Sequence, residues 1–184
     1  MAKSLTEKDF KKLVQKHIKK TNFVKVNLEG GSAILGFIVK FSDHFMMIEE
    51  TYDFSMAGIK IVPYDKVISI RHNEYDKVSK YIYVQENLLH LNRDIIDKTD
   101  LKDGESLFKS IKKQNFHCSI ESKKNKEFLF TIGEILEVNS KSVTIKNYNP
   151  AGKFNKKPQK VSFKSIDLIN FNDNYTKVFR KYLK

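Results

Sequence analysis

The chain has few of the residues that build disulfides, metal–thiolate clusters and rigid linkers. Its 184 residues include one cysteine, three prolines, seven glycines and no tryptophan. A lone cysteine, Cys118, excludes an intrachain disulfide. No window reaches the roughly 18 apolar residues of a membrane span, and residues 1–10 lack the apolar core of a secretory signal. The composition therefore predicts a soluble, cytoplasmic protein.

Arginine is scarce, although the chain is basic. Net charge is +12, and residues 106–184 carry 17 basic against 6 acidic residues, but only three arginines occur in the chain. A basic face attracts polyanions, nucleic acid first. Arginine is the usual choice for bidentate phosphate and base contacts, and here lysine replaces it. Both interpretations stay open: a polyanion-binding surface, or solvated lysines that reflect an AT-rich coding sequence.

No pattern of catalytic or metal-binding residues appears. The five histidines are dispersed, without the spacing of a His-x-x-x-His or Cys-x-x-Cys site. His117 and Cys118 are neighbours, and on a strand they would point to opposite faces. Pro150-Ala-Gly-Lys153 lacks the spacing of a phosphate-binding loop, and Gly-x-Ser-x-Gly is absent. We expect no enzyme activity, no metal and no cofactor.

Hydrophobic periodicity predicts a helix followed by short strands. Helical spacing covers residues 5–20, with Thr6 as N-cap. The predicted strands are 23–28, 33–41, 45–50, 58–62 and 67–70, with a loop over 52–57 and a helix over 73–83. Five short strands without room for crossover helices favour a small antiparallel barrel.

The same order of elements returns in the second half. Ile18-Lys-Lys-Thr-Asn-Phe23 resembles Ile111-Lys-Lys-Gln-Asn-Phe116, and Gly36 and Ile38 recur as Gly133 and Ile135. The spacing slips only in predicted loops, where insertions cost least. The sequence thus predicts a duplication: residues 1–83, a partly ordered connector over 84–103, and residues 104–184.

Short motifs in each half resemble the Sm/Lsm superfamily. The first motif would be Leu35-Gly-Phe-Ile38 with Phe41, Asp43 and Phe45-Met-Met-Ile48, and the second Ile70-Arg-His-Asn73, with His72 where glycine is usual. The second half keeps the glycine of the first motif but has Asn139-Ser140 at the acidic corner. The first half is also similar to a group of bacterial proteins without an established activity. The resemblance implies a mainly β fold of two tandem Sm-like five-stranded antiparallel small β-barrels, each preceded by an α-helix.

The resemblance also implies where RNA would bind, because Sm-like rings hold bases between the loops after the second and fourth strands. The residue types there suit unstacked bases, and four lysines in a long loop suit phosphates. An alternative is that Phe45 belongs to the core and Arg71 pairs with a carboxylate. The candidate nucleic-acid-binding residues are His44, Phe45, Arg71, His72, Asn73, Lys141, Asn170 and Asn172, with Lys153, Lys156, Lys157 and Lys160 as the phosphate-contacting set.

Two functions follow as hypotheses. The first is a non-catalytic module that binds RNA through the basic second barrel and the loops of the first. The second is a protein–protein interaction or assembly module, including self-association, that uses strand edges and has no nucleic-acid role.

Overall fold

The computed structural model describes residues 6–124 and 127–184. The first half contains α1 (Glu7–Lys19), β1 (Phe23–Leu28), β2 (Ala33–Phe41), β3 (Phe45–Tyr52), β4 (Ser55–Pro63), β5 (Val67–Arg71) and α2 (Glu74–Gln85). The rest contains α3 (Arg93–Lys98), α4 (Gly104–Lys113), β6 (His117–Lys124), β7 (Glu127–Val138), β8 (Ser142–Asn147), β9 (Gln159–Ser162), β10 (Ile166–Phe171) and α5 (Asn174–Phe179). Both predicted helices of the first half are confirmed to within about two residues.

The strands form one ten-stranded antiparallel sheet rather than two closed barrels. Its order is β5-β1-β2-β3-β4-β10-β6-β7-β8-β9. The expectation of two separate barrels is corrected by the pairing of β4, whose Ile59 and Ile61 lie opposite Phe171 and Ile169 of β10. Because β10 occupies that edge of β4, the first five strands do not close on themselves. Each half still has the same internal order, with its fifth strand beside its first.

The two halves agree in detail at their hairpins. The β2–β3 pairing shifts register between Ile38 and Lys40, and the β7–β8 pairing shifts between Ile135 and Glu137, which is the same place in each half. The chain after the fourth strand also returns to the first hairpin in both halves. The Tyr64 backbone N–H donates to the His44 carbonyl (2.8 Å), and the Phe163 N–H donates to the Lys141 carbonyl (3.0 Å).

Residues 84–103 are well packed, which corrects the expectation of a partly ordered connector. Ile96 and Leu101 are buried in the main core. The Lys40 ammonium donates to the carbonyls of Ile96 (3.1 Å) and Thr99 (2.7 Å), and the buried Glu49 carboxylate accepts from the Asn92 backbone N–H (3.1 Å). The segment packs on the sheet because burial of its apolar side chains is favourable. The side chains of Lys40 on β2 and Glu49 on β3 also form hydrogen bonds with its backbone carbonyl and N–H groups.

The predicted loop over 52–57 is instead a tight hairpin. β3 continues to Tyr52 and β4 begins at Ser55, with Asp53 and Phe54 in left-handed conformations (φ 43° and 58°). Sequence reasoning missed the hairpin because these two positions carry neither glycine nor asparagine, the usual signals of a two-residue turn.

The hydrophobic core is shared between the halves. The main cluster joins Phe37 and Ile61 of the first half with Phe108, Ile120 and Phe171 of the second. A smaller cluster lies under α1 and includes Val14. The β4–β10 joint lies in the middle of the sheet, with five strands on each side, and the shared cluster packs across it.

Candidate nucleic-acid interface

The Asp43-His44 corner is tied to the first helix. The Lys11 ammonium lies 2.7 Å from the Asp43 carboxylate, and this hydrogen bond lowers the pKa of Asp43. His44 is exposed, whereas Phe45 begins β3 and packs partly against the main core. The corner therefore exposes the His44 imidazole to solvent, whereas the neighbouring Phe45 ring is half-buried.

Arg71, His72 and Asn73 all have intramolecular partners. The Arg71 guanidinium donates to both carboxylate oxygens of Asp76 (2.7 and 3.1 Å). The His72 Nδ1 lies 2.9 Å from the Phe23 carbonyl, which requires the proton on Nδ1. The Asn73 carboxamide accepts from the Asp76 N–H and begins α2 in a capping box. The structure thus shows the alternative in which Arg71 pairs with a carboxylate.

The structure does not bring the two predicted loops of the first half together. Arg71 ends the fifth strand, level with Lys25 on β1, and Lys25 in turn lies level with Leu35 near the start of β2. His44 lies beyond the other end of β2, beside Tyr64. The assignment of Arg71–Asn73 to the loop after the fourth strand is corrected, because that loop is 64–66.

The predicted residues of the second half are likewise separated. Lys141 is exposed at the tip of the β7–β8 hairpin. Asn170 lies in the sheet between Lys60 of β4 and Ser119 of β6, and Ser119 in turn lies opposite Ile132 in the middle of β7. Asn172 is buried (6% exposed) with a left-handed backbone (φ 57°). Asn170 and Asn172 line different cavities, and Lys141 lines neither of them.

The four loop lysines lie in the longest stretch of the chain that has no acidic residue. Residues 138–166 contain seven lysines and no acidic residue. Lys153, Lys156, Lys157 and Lys160 are exposed, and none lies within ion-pair distance of a carboxylate in the described parts of the chain. Lys146 lies over the ring of Phe154, 4.1 Å from its centroid. The sequence identifies these four lysines as a basic set, and the structure places all four at exposed positions.

A cavity of about 560 Å³ lies beside this loop, at the joint between the halves. Its floor is a row across the sheet, from Lys60 through Asn170 and Ser119 to Ile132. Sequence reasoning missed it because these residues come from four strands. The remaining lining residues are Glu121, Phe130, Asn147, Tyr148, Asn149, Pro150, Asn155, Asp173, Tyr175 and Thr176.

The charged side chains that line the cavity, Lys60, Glu121 and Asp173, carry a net negative charge. Lys60 is 3.4 Å from Glu50, and the Asp173 carboxylate accepts from the N–H (2.9 Å) and hydroxyl (2.6 Å) of Thr176. Glu121 supplies a second carboxylate to the lining. Burial raises the pKa of Tyr148 to about 12, so its hydroxyl stays protonated at neutral pH. The cavity suits a neutral hydrogen-bonding group better than an anion.

Comparisons with protein-family models, curated proteins and solved structures give no match. Across residues 6–124 and 127–184, no helix has the length and apolarity to cross a membrane. The same ranges hold no cluster of three or more histidine, cysteine or acidic side chains with metal-binding geometry. Glu49 and Glu50, adjacent carboxylates on β3, go to different partners, Asn92 and Lys60.

Proposed function

We propose that this protein is a non-catalytic module that binds single-stranded nucleic acid, with RNA favoured, through the basic surface of its second half. The observation that carries the proposal is the exposed lysine set of the β8–β9 loop, Lys153, Lys156, Lys157 and Lys160. These cations have no neutralising carboxylate among the described residues, so their field is available to phosphates.

Aromatic side chains near this loop support a single strand over a duplex. Phe130 on β7 is 55% exposed and Tyr175 is 51% exposed, and both line a cavity together with Asn149, Pro150 and Asn155 of the loop. Exposed rings next to cations are the surface on which unstacked bases pack, whereas a duplex offers its phosphates but not its base faces.

The fold also supports a finer assignment, two Sm-like units in one sheet. Each half has the same strand order, the same bulge in its second strand and the same hydrogen bond from the chain after its fourth strand. The resemblance rests on these features and on the short motifs, and RNA is the ligand that it favours.

The test is a salt titration of binding to labelled single-stranded RNA, followed by fluorescence anisotropy. We expect the Lys153→Ala, Lys156→Ala, Lys157→Ala triple variant to bind at least about tenfold more weakly at about 50 mM salt. The slope of log affinity against log salt should fall by about two, since each phosphate contact on a single strand contributes about 0.7.

A matched control removes the same charge elsewhere. Lys8, Lys12 and Lys19 are exposed on α1 and have no ion pair in the described residues, so their triple alanine variant should keep the salt slope. Equal losses in both triple variants would show that net charge, not the loop, drives binding. No binding of the wild-type protein at about 50 mM salt would exclude the proposal.

A second candidate is an assembly module, and the β4–β10 joint favours it. Within the chain, the fourth strand of one half pairs with the fifth strand of the other. The two end strands of the sheet, β9 and β5, are a fourth and a fifth strand. Pairing of β9 with β5 of the next chain would therefore repeat the internal joint and give a head-to-tail oligomer.

Size-exclusion chromatography with light scattering, with and without RNA, separates the two candidates. Ile68 on β5 is 64% exposed, so Ile68→Lys should dissociate an edge-paired oligomer, because charge on an edge strand opposes pairing. Tyr52→Lys, at an exposed site away from both end strands, is the control. A monomer at about 100 μM, with and without RNA, would rule out the assembly candidate.

A further inference from the structure

The cavity at the joint contains hydrogen-bonding groups that the protein leaves unused. The Tyr148 hydroxyl, the Asn147 Oδ1 and the Asn170 Oδ1 are shielded from solvent and have no hydrogen-bond partner in the described residues. Tyr148 itself is 4% exposed, and three rings hold it in place, Phe179 (centroids 5.5 Å apart), His117 (5.8 Å) and Phe154 (6.2 Å). Unsatisfied buried groups are rare, so the three in the wall of this cavity need partners from a ligand or from ordered water.

We propose that this cavity binds the base of an unstacked nucleotide and prefers a base with an exocyclic amino group. The inference deepens the proposed function and rests on it, because it assigns one base of the bound strand to this site. Asn170 is the one lining residue that is also among the candidates from the Sm resemblance, and none of the lining residues comes from the tips of the β2–β3 and β7–β8 hairpins. The site is therefore separate from the loop residues His44, Phe45 and Lys141.

Size and shape fit a base. A volume of about 560 Å³ lies within the usual range for small-molecule sites, roughly 300–1,000 Å³. Phe130, Ile132 and Pro150 give apolar walls for a flat ring, and Tyr175 adds an aromatic face that is already stacked on Phe179 at 5.0 Å. Flat heterocycles stack on such surfaces whatever their sequence.

The polar groups select the edge of the base. The unsatisfied amide oxygens of Asn147 and Asn170 and the carboxylate of Glu121 are acceptors, so the ligand must bring N–H donors. Cytosine, adenine and guanine have an exocyclic NH₂ group, whereas uracil has carbonyl oxygens there. A carboxamide also offers its own NH₂ group, which allows the paired contacts that asparagine makes with adenine.

The charges place the phosphates outside. Asp173 and Glu121 oppose an anion in the cavity, while Lys153 and Lys156 flank Asn155 on the loop that forms its rim. A nucleotide that places its base in the cavity and its phosphates at the rim keeps the phosphates away from the two carboxylates and close to the lysines. Base and phosphate are thus read by different parts of one surface.

The experiment compares oligocytidylate with oligouridylate RNA of equal length by fluorescence anisotropy. The two bases have the same size, but cytosine has an NH₂ group at C4 and an acceptor at N3, whereas uracil has a carbonyl oxygen at C4 and an N–H at N3. Because the acceptors of the cavity suit the amino group, we expect cytidylate to bind about tenfold more tightly. Tyr148→Phe and Asn170→Ala should reduce that preference about threefold or more. Tyr64→Phe is the matched control, because the Tyr64 hydroxyl is also buried and unpartnered in the described residues but lies outside the cavity.

A titration with free nucleosides makes the inference independent of RNA binding. Cytidine, and not uridine, should shift the side-chain amide NMR signals of Asn147 and Asn170. RNA binding that depends on the loop lysines, with equal affinity for both homopolymers, would overturn the cavity assignment and leave the proposed function standing. Cytidine-induced shifts of these amide signals in a protein that does not bind RNA would support the cavity assignment and overturn the proposed function. A cavity whose amide signals respond to spermidine and not to cytidine would also overturn the assignment.

Discussion

Gly36 lies directly against the backbone of Glu49 across the β2–β3 hairpin. A Cβ at Gly36 would come 2.1 Å from the Glu49 carbonyl oxygen, and one at Gly133 would come 2.1 Å from the carbonyl oxygen of Lys146. The two glycines are 97 residues apart in sequence, as are Glu49 and Lys146. The same close approach of two strands is therefore built into both halves, at the glycine that the sequence repeat had aligned.

Alanine at either glycine should be strongly destabilising. No side chain can yield at these sites, because the overlapping atom is backbone, so we expect a loss of about 3 kcal/mol or more in the free energy of unfolding. Urea unfolding followed by circular dichroism measures it. Gly30→Ala is the control: its φ of 82° disfavours alanine but the space around it is open, so about 1 kcal/mol is expected. Equal effects at all three positions would contradict the steric explanation.

Loss of the Arg71–Asp76 ion pair should weaken folding, particularly near neutral pH. Burial opposes ionisation of Asp76, but hydrogen bonds from Arg71 and the Asn73 N–H outweigh it and lower the pKa of Asp76. A lowered carboxyl pKa stabilises the fold above the unfolded value, about 4, and that contribution disappears as pH falls below it.

We therefore expect Arg71→Ala to cost about 1–3 kcal/mol at pH 7 and less near pH 3. The figure is reduced because the guanidinium side chain is 40% exposed. Urea unfolding at both pH values tests it, with Lys12→Ala as the control, because Lys12 is exposed and has no ion pair in the described residues. An Arg71→Ala protein of wild-type stability that binds RNA more weakly would instead make Arg71 a binding residue.

His17 should make stability fall as the solution becomes acidic. Burial, together with the charges of His72 and Lys16, lowers the pKa of His17 to about 4. The unfolded chain takes up a proton below about pH 6.5 while the folded imidazole stays neutral, so acid favours unfolding. From pH 7 to pH 5 the expected loss is on the order of 2 kcal/mol.

The variant His17→Gln should flatten this pH dependence, although part of it should remain because burial also lowers the pKa of His117. His90 is exposed, so His90→Gln should leave the dependence unchanged. Chemical denaturation at several pH values provides the comparison. An identical slope in His17→Gln and wild type would mean that His17 is already protonated in the folded protein at pH 5.

Removal of the Tyr148 hydroxyl should not reduce stability. A buried hydroxyl without a partner costs free energy, so Tyr148→Phe should leave the free energy of unfolding unchanged or raise it by up to about 1 kcal/mol. Thermal and urea unfolding of Tyr148→Phe and Tyr64→Phe should therefore look alike. A loss above about 1 kcal/mol in Tyr148→Phe alone would show that its hydroxyl has a partner in the free protein.

Local features of the chain were predictable because local patterns determine them. The apolar face of residues 5–20 gave the first helix, and alternation gave β1, β2 and β5 within about one residue. The hairpin at Asp53-Phe54 escaped prediction because both residues adopt left-handed conformations without a glycine signal. Residues 84–103 looked like a connector because their partners, Lys40 and Glu49, are far away in sequence.

The candidate site was predictable in its charge and not in its geometry. Lys153, Lys156 and Lys157 stood out as a basic loop, and Asn170 was named, but for its place in a loop rather than in a cavity. The cavity needs β4, β10, β6, β7 and β8 side by side in that order, and no spacing along the chain reveals that arrangement. The bonds of Arg71 to Asp76 likewise became visible only in three dimensions.

The sequence by itself determined the repeated unit, because alternation of apolar residues, turn residues and a glycine at a close strand approach are properties of short segments. Tertiary structure decided how the two units meet. Period-two alternation says which face of a strand is buried but not which strand lies beside it, since every strand edge carries the same backbone donors and acceptors. β4 could have closed on its own half, and instead it pairs with β10. That pairing made one sheet of two units and created the cavity at their joint.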